Sequence, residues 1–532
     1  MKRNKKRITA LFMALVLMLS LCLSACGSSS DSDTETDTDT EQAASADASV
    51  DTPADASDDE STDGLLTEEV MTDKGAIKGF TSEGTTGKTI YNYYGIPYAE
   101  APVGDLRWRD AQEKEAWDGV LDCTTPLTEQ KSSYQFGTDL LAYFETLNES
   151  EDCLYLNVIS PAETVDENLP VIVWFHGGGM FGGSGSEEVY NLTNLPEHGC
   201  VFVSVTMRLG VFGMIATDSQ DDSYGSADAG NYIMSDMIAS LNWVKNNIEA
   251  FGGDASNVTI MGESGGGYKV SALLASDKAA GLFNRAIMQS GIAEAVDWET
   301  AKADGNALLE ALGVSSLEEA RSISADEILE AYNNLGLSTS MLVDGYYLTE
   351  SPNTAIAAGN YNKVNVIIGA NEGELANLAP MMNLIPNAVA VMNQIEADGN
   401  QAYAYILDQV PSNWREIGAH CVHSMDLAYL FGDYEDSVRY FSGGPWVQNC
   451  AFWLDTDTYP AEDYISPVMD EDDLEFADQM MSMWVSFATD GDPNIEGSDW
   501  QAWTQADENY IYLTNMNGET SSMKTGFGDL AQ

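Results

Sequence analysis

The chain has 532 residues, with 23 basic and 85 acidic side chains and a formal net charge of −62. Its 44% hydrophobic and 10% aromatic content is that of a globular protein and excludes a wholly disordered or fibrous chain. The shortage of Lys and Arg argues against nucleic acid as a partner, because phosphate binding needs cations.

At the N-terminus, Lys2, Arg3, Lys5, Lys6 and Arg7 precede an apolar run from Ile8 to Ala25. A basic stretch, an apolar run and small residues at its end read as a secretory signal. The run closes in Leu23-Ser-Ala-Cys26-Gly27, which resembles the bacterial lipoprotein cleavage box. The resemblance implies loss of residues 1–25 and lipidation of Cys26. More than one acyl chain on Cys26 would hold the protein stably on the extracytoplasmic side of a bacterial cell membrane. Residues 28–64 carry thirteen acidic side chains and no basic one. Such a segment buries too little surface to offset chain entropy, so 26–64 are expected to be a lipidated Cys and an acidic disordered tether.

The body, 65–532, contains neither a second linker nor an internal repeat and reads as one α/β unit. Short apolar runs predict buried parallel strands at Val171–Phe175, Cys200–Thr206, Asn257–Met261, Arg285–Gln289 and Val364–Ile368. Between them, Asn231 to Ala250 places Ile233, Met237, Ile238, Leu241, Val244 and Ile248 at helical spacing. A second long helix is expected over Asp472 to Ala488, ahead of a Gly-Asp-Pro stop and a late strand over Tyr510–Leu513. The alternation predicts a mostly parallel sheet with helices on both faces.

Polar residues cluster where these strands end. His176-Gly177-Gly178-Gly179 follows the first strand, and Gly262-Glu263-Ser264-Gly265-Gly266 lies between a strand and a helix. Chance would supply a G-x-S-x-G about 0.3 times in this composition, and the His-Gly-Gly-Gly run about 0.003 times. A strand, a sharp turn and a helix expose a Ser hydroxyl as a nucleophile, and the helix N-terminus favours developing negative charge. Glycines let backbone N–H groups approach within about 3 Å of an oxyanion. A phosphate loop would instead bring a Lys-Ser/Thr pair, which does not follow here. A Ser nucleophile needs a base and an orienting acid. Of four His, His176 belongs to the Gly loop and His198 to a turn, leaving His420 or His423. The strand Val364–Ile368 runs into two acids, Glu372 and Glu374, and spacing alone chooses neither between them nor between the two His.

Further landmarks run in order along the chain. They are Gly95-Ile-Pro-Tyr-Ala99 with Pro102-x-Gly104-x-Leu-Arg107, Glu151-Asp-Cys-Leu-Tyr-Leu-Asn-Val158, Arg208-Leu-Gly210, Phe251-Gly-Gly-Asp254, Gln289-Ser-Gly291 and Gly491-Asp-Pro-Asn494. Together with the two Gly motifs, they make residues 75–515 resemble the type B carboxylesterase/lipase family. That family includes para-nitrobenzyl esterases, cholinesterases and the non-enzymatic neuroligins. The resemblance implies an α/β hydrolase fold, with Ser264, Glu374 and His423 as the triad and the N–H groups of Gly178, Gly179 and Gly265 as oxyanion donors. It also implies hydrolysis of a small-molecule ester without metal or organic cofactor. A neuroligin-like binding protein, or an amidase or lipase with the same triad, is the alternative.

The chain departs from the family pattern at several points. Gly265 stands where Ala is usual, which predicts a looser turn. Thr206-Met207 replaces Asn-Tyr, and Leu375 replaces a common Gly. The family's early disulfide implies a Cys123–Cys153 bridge. Cys200, Cys421 and Cys450 then leave an odd thiol, and none of the cysteines has metal-site spacing.

Overall fold

Strands rich in Val and Ile form the spine of the molecule. The computed structural model describes residues 64–134, 148–190, 192–220, 224–228, 230–337, 340–376, 378–416, 420–432, 468–516 and 518–531. The expected signal, Cys26, the tether up to Asp63 and Cys450 therefore lie outside the described residues. Gly64–Gln532 groups as one unit by its internal contacts.

The central sheet has eleven strands. In chain order they are β1 (Phe80–Glu83), β2 (Thr89–Pro97), β3 (Tyr155–Ser160), β4 (Leu169–Phe175), β5 (Val201–Val205), β6 (Gly253–Glu263), β7 (Arg285–Gln289), β8 (Asn365–Asn371), β9 (Ala402–Leu407), β10 (Tyr510–Leu513) and β11 (Ser522–Lys524). Their spatial order is β11-β10-β9-β8-β7-β6-β4-β5-β3-β2-β1. From β5 across to β10 every pairing is parallel, and antiparallel strands close both edges.

Alternate residues of the inner strands enter different cores, as the period of two requires. Val171, Val173 and Phe175 of β4 join Val201, Val203, Val258 and Ile260 in one cluster. Ile172 and Trp174 join Phe202, Met261, Ile287 and Ile367 in the other. The first cluster is covered by helices α1 (Tyr232–Asn247), α2 (Gly265–Ala275) and α3 (Leu384–Ala397). The second is covered by α4 (Asp426–Phe431) and α5 (Glu471–Asp490). Helices thus cover both faces of a mainly parallel sheet, the α/β hydrolase arrangement. The N-terminus of α5 carries a capping box, Asp470 with Asp473. The C-terminus of α5 stops at Gly491 in the left-handed region, as the Gly-Asp-Pro stretch led one to expect.

The N-terminus of α1 is tied to the loop after β5 by a buried ion pair. Arg208 donates to Asp236 from Nε at 2.8 Å, from Nη2 at 2.5 Å and from its backbone N at 3.1 Å. Both side chains are buried.

The Cys123–Cys153 bridge is not formed; both thiols are free and buried. Cys123 is held at a strand edge, its N–H donating to Lys78 and its carbonyl accepting from Tyr94 N–H. Cys153 instead faces Ser133 and the Arg208–Asp236 pair. Different neighbours therefore hold the two residues. Burial pushes the Cys123 thiol up to about 12.

A buried guanidinium left without its carboxylate is costly. Asp236→Ala should lower unfolding free energy by about 3–5 kcal/mol. A urea titration followed by tryptophan fluorescence would measure this, and an unchanged midpoint would remove the pair from the list of structural supports.

Candidate active site

β6 ends at Glu263, and the chain reverses at Ser264 into α2. Ser264 has φ 56° and ψ −119°, a conformation L-residues rarely hold. Its N–H donates to Gln289 O at the end of β7 at 2.8 Å, and its carbonyl accepts from Tyr268 N at 3.2 Å. The hydroxyl is thereby raised above the strand ends, as a nucleophile elbow requires.

Gly265 does not loosen the turn. A Cβ placed there would sit 2.0 Å from Gly179 O, and one at Gly266 would sit 2.1 Å from Phe175 O. The glycines allow the first turn of α2 to press against β4 and the loop that follows it, so the missing methyl group tightens the approach.

The loop after β8 brings the acid. Glu374 closes a short 3-10 turn, Glu372–Glu374, and is 1% exposed. His423 lies just before α4. Its Nε2 is 2.8 Å from Ser264 Oγ and its Nδ1 is 2.7 Å from Glu374 Oε1. Since the carboxylate can only accept, Nδ1 carries a proton, and in the neutral ring Nε2 accepts from the Ser hydroxyl. His420 pairs outward with Glu372 at 2.8 Å. The structure thus brings Ser264, His423 and Glu374 into one line.

The His loop is pinned from below. Gly373 N–H donates to Cys421 O at 2.8 Å, and Asn371 Nδ2 donates to Val422 O at 2.9 Å. Asp426 accepts from Gln289 Nε2 at 2.6 Å and from Asn371 Nδ2 at 3.2 Å. Burial raises the Asp426 carboxyl to about 6.

Glu263 is a member of the site that motif reasoning missed. Its Oε1 is 3.3 Å from His423 Nε2 and accepts from Ser424 Oγ at 2.9 Å. The available signal was its place one residue before the nucleophile, at the end of a buried strand. Burial raises Glu263 to about 8, opposed by His423. Burial alone would lower His423, but the Glu263 and Glu374 carboxylates outweigh it and raise it above 6.5. The two groups share one proton balance: a neutral Glu263 withdraws part of what favours imidazolium.

The His-Gly-Gly-Gly loop lies beside the hydroxyl. Gly178 and Gly179 have φ of +80° and +61°. A Cβ at Gly177 would be 3.7 Å from Ser264 Cβ. His176 Nδ1–H donates to Gly177 O at 2.9 Å, and Gly178 O accepts from Gly182 N at 2.9 Å. With these carbonyls occupied, the Gly178 and Gly179 N–H groups find no backbone acceptor among the described residues.

The carboxylesterase family model matches residues 67–389 and 381–527. The chain belongs to the carboxylesterase family. It is 37% identical over 324 residues to the para-nitrobenzyl esterase of Bacillus subtilis (strain 168), a stretch covering 58% of this chain and 63% of that relative, just under two thirds. It is 30% identical over 514 residues to carboxylesterase 1C of Mus musculus, covering 84% of this chain and 89% of the relative. The solved structure of a thermophilic para-nitrobenzyl esterase superposes with TM-score 0.72 at 27% identity, covering 86% of this chain and 97% of that one. A Geobacillus stearothermophilus carboxylesterase gives 0.70 at 27% identity, covering 87% and 99%.

A raised His423 remains protonated, and so unable to accept the Ser264 proton, to higher pH than an ordinary His. The kcat/KM of this carboxylesterase should therefore rise with pH through a midpoint above 6.5. Glu263→Gln removes one of the carboxylates that favour imidazolium and should move that midpoint to lower pH. An unmoved acid limb would show that Glu263 is already neutral across it.

Proposed function

We propose that this carboxylesterase cleaves small-molecule esters through an acyl-enzyme on Ser264, with His423 as base and Glu374 as its orienting acid. The reading rests on one observation, the hydrogen-bonded line from Ser264 Oγ through the His423 ring to Glu374. His423 Nε2 takes the hydroxyl proton as Oγ adds to the ester carbonyl. Glu374 holds the ring and stabilises the imidazolium. The N–H groups of Gly178, Gly179 and Gly265 receive the oxyanion. His423 then protonates the departing alcohol, and water, activated by the same ring, releases the acid.

Outside the catalytic body, we assign the segment ending at Cys26 to export and lipidation. Support comes from the basic residues 2–7, the apolar run 8–25 and the Leu-Ser-Ala-Cys-Gly box. Among the described residues no helix is long and apolar enough to cross a membrane. The thirteen acidic side chains of 28–64 would space the body from the anionic headgroups.

Ser264→Ala should reduce p-nitrophenyl acetate turnover by about a thousand-fold or more and abolish labelling by a fluorophosphonate probe. Full turnover in the variant would reject the nucleophile, and an unlabelled, inactive wild type would favour a neuroligin-like binding role. For the anchor, the full chain expressed in a bacterium should incorporate an alkyne-tagged fatty acid, and Cys26→Ser should lose the label. Equal labelling of the variant would overturn the assignment.

A further inference from the structure

Helix α2 carries a lysine out of reach of bulk solvent. Lys269 is fully buried. It lies four residues after Gly265 and three after Gly266, which puts it on the helix face that presses against β4 and the Gly loop. Its Nζ donates to His176 O at 2.8 Å and to Gly179 O at 3.4 Å. These two carbonyls bracket the two peptide groups that carry the Gly178 and Gly179 N–H donors. Within the bracket, Gly177 O is held by His176 Nδ1–H and Gly178 O by Gly182 N–H. Every carbonyl from 176 to 179 is therefore engaged. Lys269 supplies both of the outer contacts, from the helix that begins at the nucleophile.

We propose that Lys269 is a positioning residue for ester hydrolysis, its buried Nζ clamping the glycine loop to α2 so that the Gly178 and Gly179 N–H groups face the oxyanion formed on Ser264. The inference rests on the ester-hydrolase reading above. A charged donor makes shorter, stronger hydrogen bonds to carbonyls than a neutral one, and donors fixed before reaction need no reorganisation as charge develops. The groups facing the ammonium are Glu187, which accepts from Ser184 N at 2.6 Å, Glu263 at the end of β6, and His176. Burial draws Lys269 down to about 7, against the two carboxylates. Burial and the neighbouring Lys269 hold His176 well below its usual value, so it stays neutral. Its Nε2 lacks a partner among the described residues. Below about pH 7 the clamp adds one cation beside the oxyanion loop, and His176 adds no second one.

Lys269→Met keeps the length and apolar stem and removes the donor, and Lys269→Gln keeps an N–H donor without the charge. Both should be measured with p-nitrophenyl acetate and with an alkyl trifluoromethyl ketone, which forms a tetrahedral oxyanion on the nucleophile. The expected result is a fall in kcat of about ten-fold or more, with KM within about two-fold and a matching rise in the ketone Ki. A packing defect alone would lower thermal stability without coupling kcat to Ki. If Lys269→Met does not fold, Lys269→Gln tests the charged Nζ donor by the same readouts. A folded variant with kcat and Ki both within about two-fold of wild type would overturn the clamp. That outcome, in a protein whose wild type hydrolyses the ester, leaves the hydrolase reading standing; an inactive wild type would reject that reading instead.

Discussion

The structure turns on one backbone position. Ser264 occupies a φ/ψ region that costs about 1–3 kcal/mol for a residue with a Cβ. The surroundings over-determine it. Gln289 O fixes its N–H, Tyr268 N–H fixes its carbonyl, and glycines at 265 and 266 admit helix α2 against Phe175 and Gly179. The parallel order β7-β6-β4 makes this possible, since it brings the ends of three strands to one edge from which the hydroxyl rises. A side chain on either glycine would push the helix from that edge, and the serine could then relax.

Around the hydroxyl the charges are unequal in number. Glu263, Glu374 and Asp426 face a single His423. In a buried space three carboxylates cannot all remain ionised beside one imidazole without large desolvation cost. The site divides the burden by hydrogen bonding. Asp426 is held by two amides, Glu374 by the imidazole, and Glu263 by the Ser424 hydroxyl. The amide partners come from β7 and β8, the same strand ends that seat the turn loops, so electrostatics and topology support the same geometry.

Much of the architecture was legible because the signals are local. Apolar runs located β4, β7 and β10 within two residues, and the helical period located α1 and α5. The two Gly motifs marked loops whose chemistry needs small residues. The acid and base were harder. Glu372 and Glu374, like His420 and His423, differ only in which way their loops face, and the partners lie 49 and 159 residues apart in the chain. Family resemblance selected one of each, and the fold pairs the other two outside. Besides Glu263, three features went unread or were misread. Lys269 resembles any polar residue on a helix until the loop beneath it is seen. Gly265 suggested looseness, but the closeness of Gly179 gives it the opposite use. The two early cysteines suggested a bridge, yet strand bonds hold one and an ion pair neighbours the other.

The separation of the reacting groups along the chain has a consequence for assembly. The nucleophile closes β6 before mid-chain, whereas the base follows β9, whose outer neighbour β10 arrives more than a hundred residues later. Loop-closure entropy opposes such distant pairings, so sheets built from them form slowly. A chain that has completed β4 to β7 would already display the serine turn while lacking its base. Competence is therefore gained only when the distal half of the sheet has docked, and the appearance of activity during refolding would time that docking event rather than the earlier formation of the nucleophile turn.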